Sequence, residues 1–161
     1  MKYFAYGSNM SLARLQARVP NVRPLGRHTL AGHALRFHKA GDDGSAKCDA
    51  CPTSNDADRV WGVLFEVDAN GKATLDRIEG AGYAVAEVSV IDEDGRRQTA
   101  FTYRAVRIDA ARKPFTWYLH HVLVGAREAG LPRAYIEGIA AVDSIDDPDP
   151  ARHAREHGVH G

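Results

Sequence analysis

Apolar positions along this chain fall into short runs with two different periods. Tyr3-Phe4-Ala5-Tyr6 is an unbroken apolar run that stops at Gly7, as a short buried strand would. Leu12, Leu15 and Val19 then recur at helical spacing until Pro20. Thr29 to His38 reads as a strand with Leu30, Leu35 and Phe37 as its apolar content, and residues 39–56, rich in Gly, Asp and Ser, read as a long loop. Val60 to Val67 is mostly apolar, the pattern of a strand covered on both faces. Asp68 is placed to cap a short helix carrying Leu75 and Ile78, which Gly80 closes.

Tyr83–Ile91 and Gln98–Ala105 flank the turn Asp92-Glu93-Asp94-Gly95 and predict a hairpin. Pro114 suits the first turn of a helix on which Tyr118, His121, Val122 and Gly125 share a face up to Gly130. A shorter helix holds Tyr135, Ile136 and Ile139. Past Asp143 the chain turns polar and acidic, then His-bearing. This divides it into a domain over 1–145 and a tail over 146–161, expected to be loosely held and dispensable for chemistry. Strands outnumber helices and neighbours look antiparallel, so the class is α+β, with a small closed or rolled sheet and helices outside it.

Composition narrows the function classes. The 161 residues suffice for one domain and one core. Lys and Arg number 21 against 21 Asp and Glu, a balance that argues against nucleic acid or an anionic membrane as the main partner. No apolar run approaches the ~20 residues of a membrane span. Met1 to Phe4 leads straight into a strand without a signal-peptide core, so a cytoplasmic location is expected.

Four groups of residues could carry chemistry. Tyr6-Gly7-Ser8-Asn9 ends the first strand just before a helix; there the amides of Ser8, Asn9 and Met10 could lie free to face an anion, or Ser8 or Asn9 could simply cap. Glu79 stands at the end of a short helix, where the dipole disfavours a carboxylate. It either points to solvent or is held in a cleft as a base. Cys48-Asp49-Ala50-Cys51 has the spacing of a redox pair or half a zinc site. It lies in the expected loop, and no H-x₃₋₅-H partner follows it at zinc-finger spacing, so two ordinary cysteines are the better reading. His121 faces the apolar stripe of its helix and reads as a core histidine, while His153, His157 and His160 cluster in the tail. No Ser-His-Asp or G-x-S-x-G arrangement and no phosphate-binding glycine motif is present.

Taken together, these segments resemble gamma-glutamylcyclotransferases and their bacterial relatives. Tyr3-Phe4-Ala5-Tyr6-Gly7-Ser8-Asn9-Met10 is similar to the family's opening signature. Val60-Trp61-Gly62-Val63, then Leu75-Asp76-x-x-Glu79-Gly80 and Tyr83, is similar to its catalytic segment. Asp43-Gly44-Ser45-Ala46-Lys47 resembles a loop of many bacterial members. Gly125-Ala126-Arg127-Glu128-Ala129-Gly130-Leu131-Pro132-x-x-Tyr135 resembles the family's C-terminal helix and turn.

The resemblance implies a small mixed β-barrel with flanking helices. It also implies release of an amine or amino acid from a γ-glutamyl group as the group closes to 5-oxoproline. Glu79 then falls on the catalytic glutamate. Gly7, Ser8 and Asn9 fall on the loop that holds the γ-glutamyl group, and Tyr83 and Tyr118 on or near cavity tyrosines. The expected binding set is Tyr6, Gly7, Ser8, Asn9, Met10, Tyr83 and Tyr118, with Glu79 as general acid and base. A small-molecule γ-glutamyl compound is the expected partner, with no metal and no cofactor. The leaving group stays open between an amino acid, an amine and the remainder of glutathione, as do a homodimer and a non-catalytic binding module of the same fold.

Overall fold

The computed structural model describes residues 1–160. Five strands close into a barrel: β1 (Lys2–Ala5), β2 (Arg23–Ala31), β5 (Arg59–Glu66), β6 (Tyr83–Ile91) and β7 (Arg97–Ala105). Their order around it is β1-β5-β2-β6-β7. All neighbours are antiparallel except β1 and β7, which meet in parallel at Tyr3 and Phe101. β5 lies between β1 and β2, and Val60, Val63, Leu64 and Phe65 on its two faces are all buried, which is why it reads as a nearly continuous apolar run.

The remaining strands, β3 (His33–Ala40) and β4 (Ala46–Pro52), form a separate two-stranded sheet. The expected single strand Thr29–His38 is thus two strands, parted at Gly32, whose positive φ of 74° turns the chain. The expected loop 39–56 contains β4. Its inward positions Ala46, Cys48 and Ala50 are buried, so a period of two was present, but in residues too small to stand out. Cys48 and Cys51 lie three residues apart on this strand and therefore face opposite sides, which rules out a local redox pair.

Around the barrel lie α1 (Leu12–Arg18), α2 (Ala69–Glu79), α3 (Thr116–Glu128), α4 (Arg133–Ala140) and α5 (Pro150–His157). Asp68 caps α2 by accepting from the Gly71 amide at 2.7 Å, as its position in the sequence suggested. α3 carries most of the outer core, burying Trp117, Tyr118, His121, Val122 and Gly125. Pro114 precedes this helix rather than opening it, and its carbonyl accepts from the Ile145 amide.

The expectation of a loosely held tail is corrected: the segment is ordered and packed onto the rest of the chain. Asp149 caps α5 through the Ala151 and Arg152 amides. Asp147, though acidic, is buried because Trp117 Nε1 (2.8 Å) and the Arg152 guanidinium (2.7 Å) both donate to it. Arg152 is the main cause holding the Asp147 carboxyl far below its usual range. Glu156 accepts from Arg14 at 2.8 Å, and His160 Nε2 lies 2.7 Å from His121 Nδ1. Burial pushes His121 down to about 2, so that imidazole is neutral. A polar segment is held here by directed contacts, which a hydropathy pattern does not reveal.

Candidate active site

A 3-10 turn, Ser8–Met10, links β1 to α1 beside a cavity of about 350 Å³. Glu79 reaches that cavity from the last residue of α2, and Tyr83 from the start of β6. Tyr118 enters from the first turns of α3, and Cys48 from β4. Tyr6, Gly7, Ser8, Asn9, Glu79, Tyr83 and Tyr118 all line it, brought together from three separate stretches of chain.

Met10 is the exception. Its side chain is buried in the core, and its amide donates to the Gly7 carbonyl at 3.1 Å. The expectation of three free amides is therefore corrected. A turn of this type consumes its third amide internally, and only those of Ser8 and Asn9 precede that bond.

Gly7 allows a close approach that a side chain would crowd. A Cβ there would lie 3.0 Å from Cys48 Cβ and 3.3 Å from the Tyr118 hydroxyl. That hydroxyl accepts from the Cys48 amide at 2.9 Å, and Tyr83 donates to the Cys48 carbonyl at 2.6 Å. The two tyrosines thus clamp β4 to the cavity wall. Tyr6 donates to the Tyr103 carbonyl, tying β1 to β7. Burial raises the pKa of all three phenols, which keeps them protonated and neutral.

The carboxylate of Glu79 is held by a short relay. Asn9 Nδ2 donates to Glu79 Oε1 at 3.3 Å and lies 3.1 Å from the Tyr3 hydroxyl, while Arg18 donates to Asn9 Oδ1 at 3.1 Å. Burial raises the Glu79 pKa, and the positive charges of Arg18, Lys39, Arg14 and Lys47 pull it part of the way back. A carboxylate so placed accepts a proton more readily than one in water and can return it. Tyr3, Arg18 and Lys39 were missed in the sequence. Tyr3 looks like an ordinary strand residue there, and the cations carry no motif of their own.

The cavity wall is rich in cations. Lys47 pairs with Asp43 at 2.9 Å and lies 4.5 Å from the centroid of Trp117. Asp43 also accepts from the amide (3.0 Å) and hydroxyl (2.6 Å) of Ser45. The Asp43–Lys47 segment thus forms one lip of the cavity, and Arg152, Arg155 and Glu156 of α5 border it from the opposite terminus.

The cysteines contribute no reactive group to this site. Burial pushes the Cys48 thiol up to about 12, so it stays protonated. Cys51 lies away from the cavity, with ligand atoms of His38 and Asp49 within 4.8 Å. Both Asp49 oxygens are engaged, with the Ala105 amide at 2.9 Å and with His38 Nε2 at 2.6 Å. No helix among the described residues is long and apolar enough to cross a membrane.

The AIG2-like family model matches residues 59–139. Human gamma-glutamylcyclotransferase is 30% identical over 150 residues, spanning 89% of this chain and 79% of the relative. A solved gamma-glutamyl cyclotransferase superposes with a TM-score of 0.82 at 27% identity, covering 90% of this chain and 89% of its own. A yeast gamma-glutamyl cyclotransferase specific to glutathione shares the fold at a TM-score of 0.63 and 13% identity, covering 86% and 93%.

Proposed function

The chain belongs to the AIG2-like, gamma-glutamylcyclotransferase family, and on that premise we propose that it converts a γ-glutamyl compound to 5-oxoproline with Glu79 as general base and acid. The observation that supports this most is a partly buried carboxylate of raised pKa, steadied by Asn9, facing the cavity beside the Ser8–Asn9 turn.

The substrate carries its own nucleophile. Glu79 takes a proton from the α-ammonium, and the freed amine attacks the γ-carbonyl carbon. A five-membered lactam closes as the bond to the leaving nitrogen breaks, and protonated Glu79 returns its proton to that nitrogen. The amides of Ser8 and Asn9 face the carboxylate or the developing oxyanion, and confinement supplies the entropic part of the rate. No enzyme nucleophile is needed, in keeping with a chain that lacks a triad. The cytoplasm is the proposed location, the 1–145 segment the proposed catalytic unit, and a small molecule the proposed partner.

Release of 5-oxoproline from a panel of γ-glutamyl compounds tests this reading. Tight binding without release would favour a non-catalytic module instead. A second measurement addresses the base. Catalysis requires ionised Glu79, so kcat/KM should fall as the pH drops through a limb lying above the ordinary carboxylate range. That limb should vanish from the residual rate of Glu79→Gln. A limb at the ordinary position, or one unchanged in the variant, would assign the titration to another group.

No metal takes part in these steps. Dialysis against a strong chelator should leave turnover unchanged. A large loss restored by zinc would redirect attention to His38, Asp49 and Cys51.

A further inference from the structure

Among the described residues, the cations discussed above that line this cavity all have a partner except Lys39 and Arg155, and of these two only Lys39 is buried. Lys47 is paired with Asp43, Arg14 with Glu156 at 2.8 Å and Arg152 with Asp147, while Arg18 donates to Asn9. Lys39 lines the same cavity and is only 7% exposed. Among the described residues its ammonium has neither an ion-pair partner nor a hydrogen-bond acceptor. What faces it is the ring of Tyr83, 4.6 Å from Nζ to centroid. That attraction is worth less than the hydration an ammonium gives up on burial.

Two local features put it there. The pairing of β3 with β4 slips between Phe37 and Lys39, a bulge that re-aims the following side chain. Gly82 then leaves room for the ammonium, since a Cβ at that position would lie 2.6 Å from Lys39 Cε and 2.8 Å from Nζ. The chain thus holds a buried positive charge beside the Glu79–Tyr83 turn; it acts on Glu79 across the cavity but makes no direct ion pair with it.

We propose that Lys39 is a specificity residue that binds the carboxylate of the departing amino acid, so that the protein prefers γ-glutamyl amino acids to γ-glutamyl alkylamides. The inference rests on the cyclotransferase reading above and deepens it. With the Ser8–Asn9 turn facing the reacting γ-glutamyl group, a γ-glutamyl amino acid brings a further carboxylate on its leaving side. An alkylamide brings none there. A largely buried ammonium with no protein anion beside it is a strong partner for that carboxylate, because a charge-assisted hydrogen bond is stronger in a partly dry cavity than in open water.

γ-Glutamylalanine and γ-glutamylethylamide differ only in this carboxylate. Their Kd values are compared by calorimetric titration in the Glu79→Gln protein, with Lys39 intact and with Lys39→Gln added. Release of 5-oxoproline by the wild-type chain is followed separately. The preference for γ-glutamylalanine should fall about ten- to a hundredfold on removal of the charge. Gly82→Ala, which keeps the lysine but intrudes on its ammonium, should shift the preference in the same direction. It therefore tests the inference even where Lys39→Gln folds poorly. A preference unchanged in a folded variant, with both ligands weakened alike, would overturn the role given to Lys39. If the preference falls but the wild-type chain releases no 5-oxoproline, the lysine's role stands and the reaction assigned to the site fails.

Discussion

Glu79→Gln should lower kcat by about 10²–10⁴-fold, equal to about 3–5 kcal/mol of barrier, while substrate Kd changes little. Glutamine matches glutamate in size and still accepts from Asn9 Nδ2 through its amide oxygen, so the Asn9–Arg18 relay survives. Only the ability to take a proton is lost. The fold should not suffer. A carboxyl whose pKa is raised holds its proton more tightly in the folded state than in the unfolded chain. Its contribution is therefore full below the unfolded pKa and is lost as pH rises through the folded one. At neutral pH ionised Glu79 weighs against folding, so Glu79→Gln should melt at or above the wild-type temperature. Turnover, substrate titration and thermal melting together check this. Wild-type turnover in the folded variant would remove Glu79 as the base.

Gly125→Ala should impair stability and catalysis together, without touching the cavity. Gly125 faces the backbone of the turn that carries Ser8 and Asn9. A Cβ there would meet Ser11 N at 2.5 Å and the Met10 carbonyl carbon at 2.7 Å. The atoms in the way are main chain or, for Met10 Cβ at 2.6 Å, fixed directly to it, so either α3 or the turn must move. Overpacking of this kind costs about 1–3 kcal/mol, or roughly 2–4 °C in Tm for each kcal/mol in a chain of this size. Displacing the turn also displaces Asn9 and hence Glu79. A shift approaching 1 Å at a reacting group can cost up to ~10²-fold in rate, so kcat/KM should fall by at least about tenfold. Melting curves and kcat/KM measured on one preparation decide it. Loss of stability with full activity would mean that α3 yields and the turn stays in place.

Gly125 shows how differently two glycines can be read. Gly80 was legible as a helix stop because it follows Leu75 and Ile78 at helical spacing, and it ends α2 with a positive φ of 66°. Gly125 was legible as part of a helix face, yet what it touches, the turn Ser8–Met10, lies more than a hundred residues away in the chain. Lys39 is similar. In the sequence it is one polar residue at the start of a Gly- and Asp-rich stretch; its burial follows from a bulge, a neighbouring glycine and a tyrosine ring.

Local pattern by itself determined the barrel strands β1, β5, β6 and β7, the helices α1 to α4, and the placing of Glu79 at the end of a capped helix. Those features depend on hydrophobic period, capping and turn chemistry, which act over fewer than ten residues. The four ordered motifs added a family resemblance, and through it the barrel and a set of expected residues that, Met10 apart, line one cavity. Only the tertiary structure decided the rest. It showed that β4 pairs with β3, that Met10 belongs to the core, that α5 folds back through Asp147 and Glu156, and that Asn9 and Arg18 steady Glu79. These depend on pairing and packing between residues up to about 140 positions apart. Their energy lies in directed contacts between polar groups, and no run of hydrophobic and polar positions encodes which of those groups will meet.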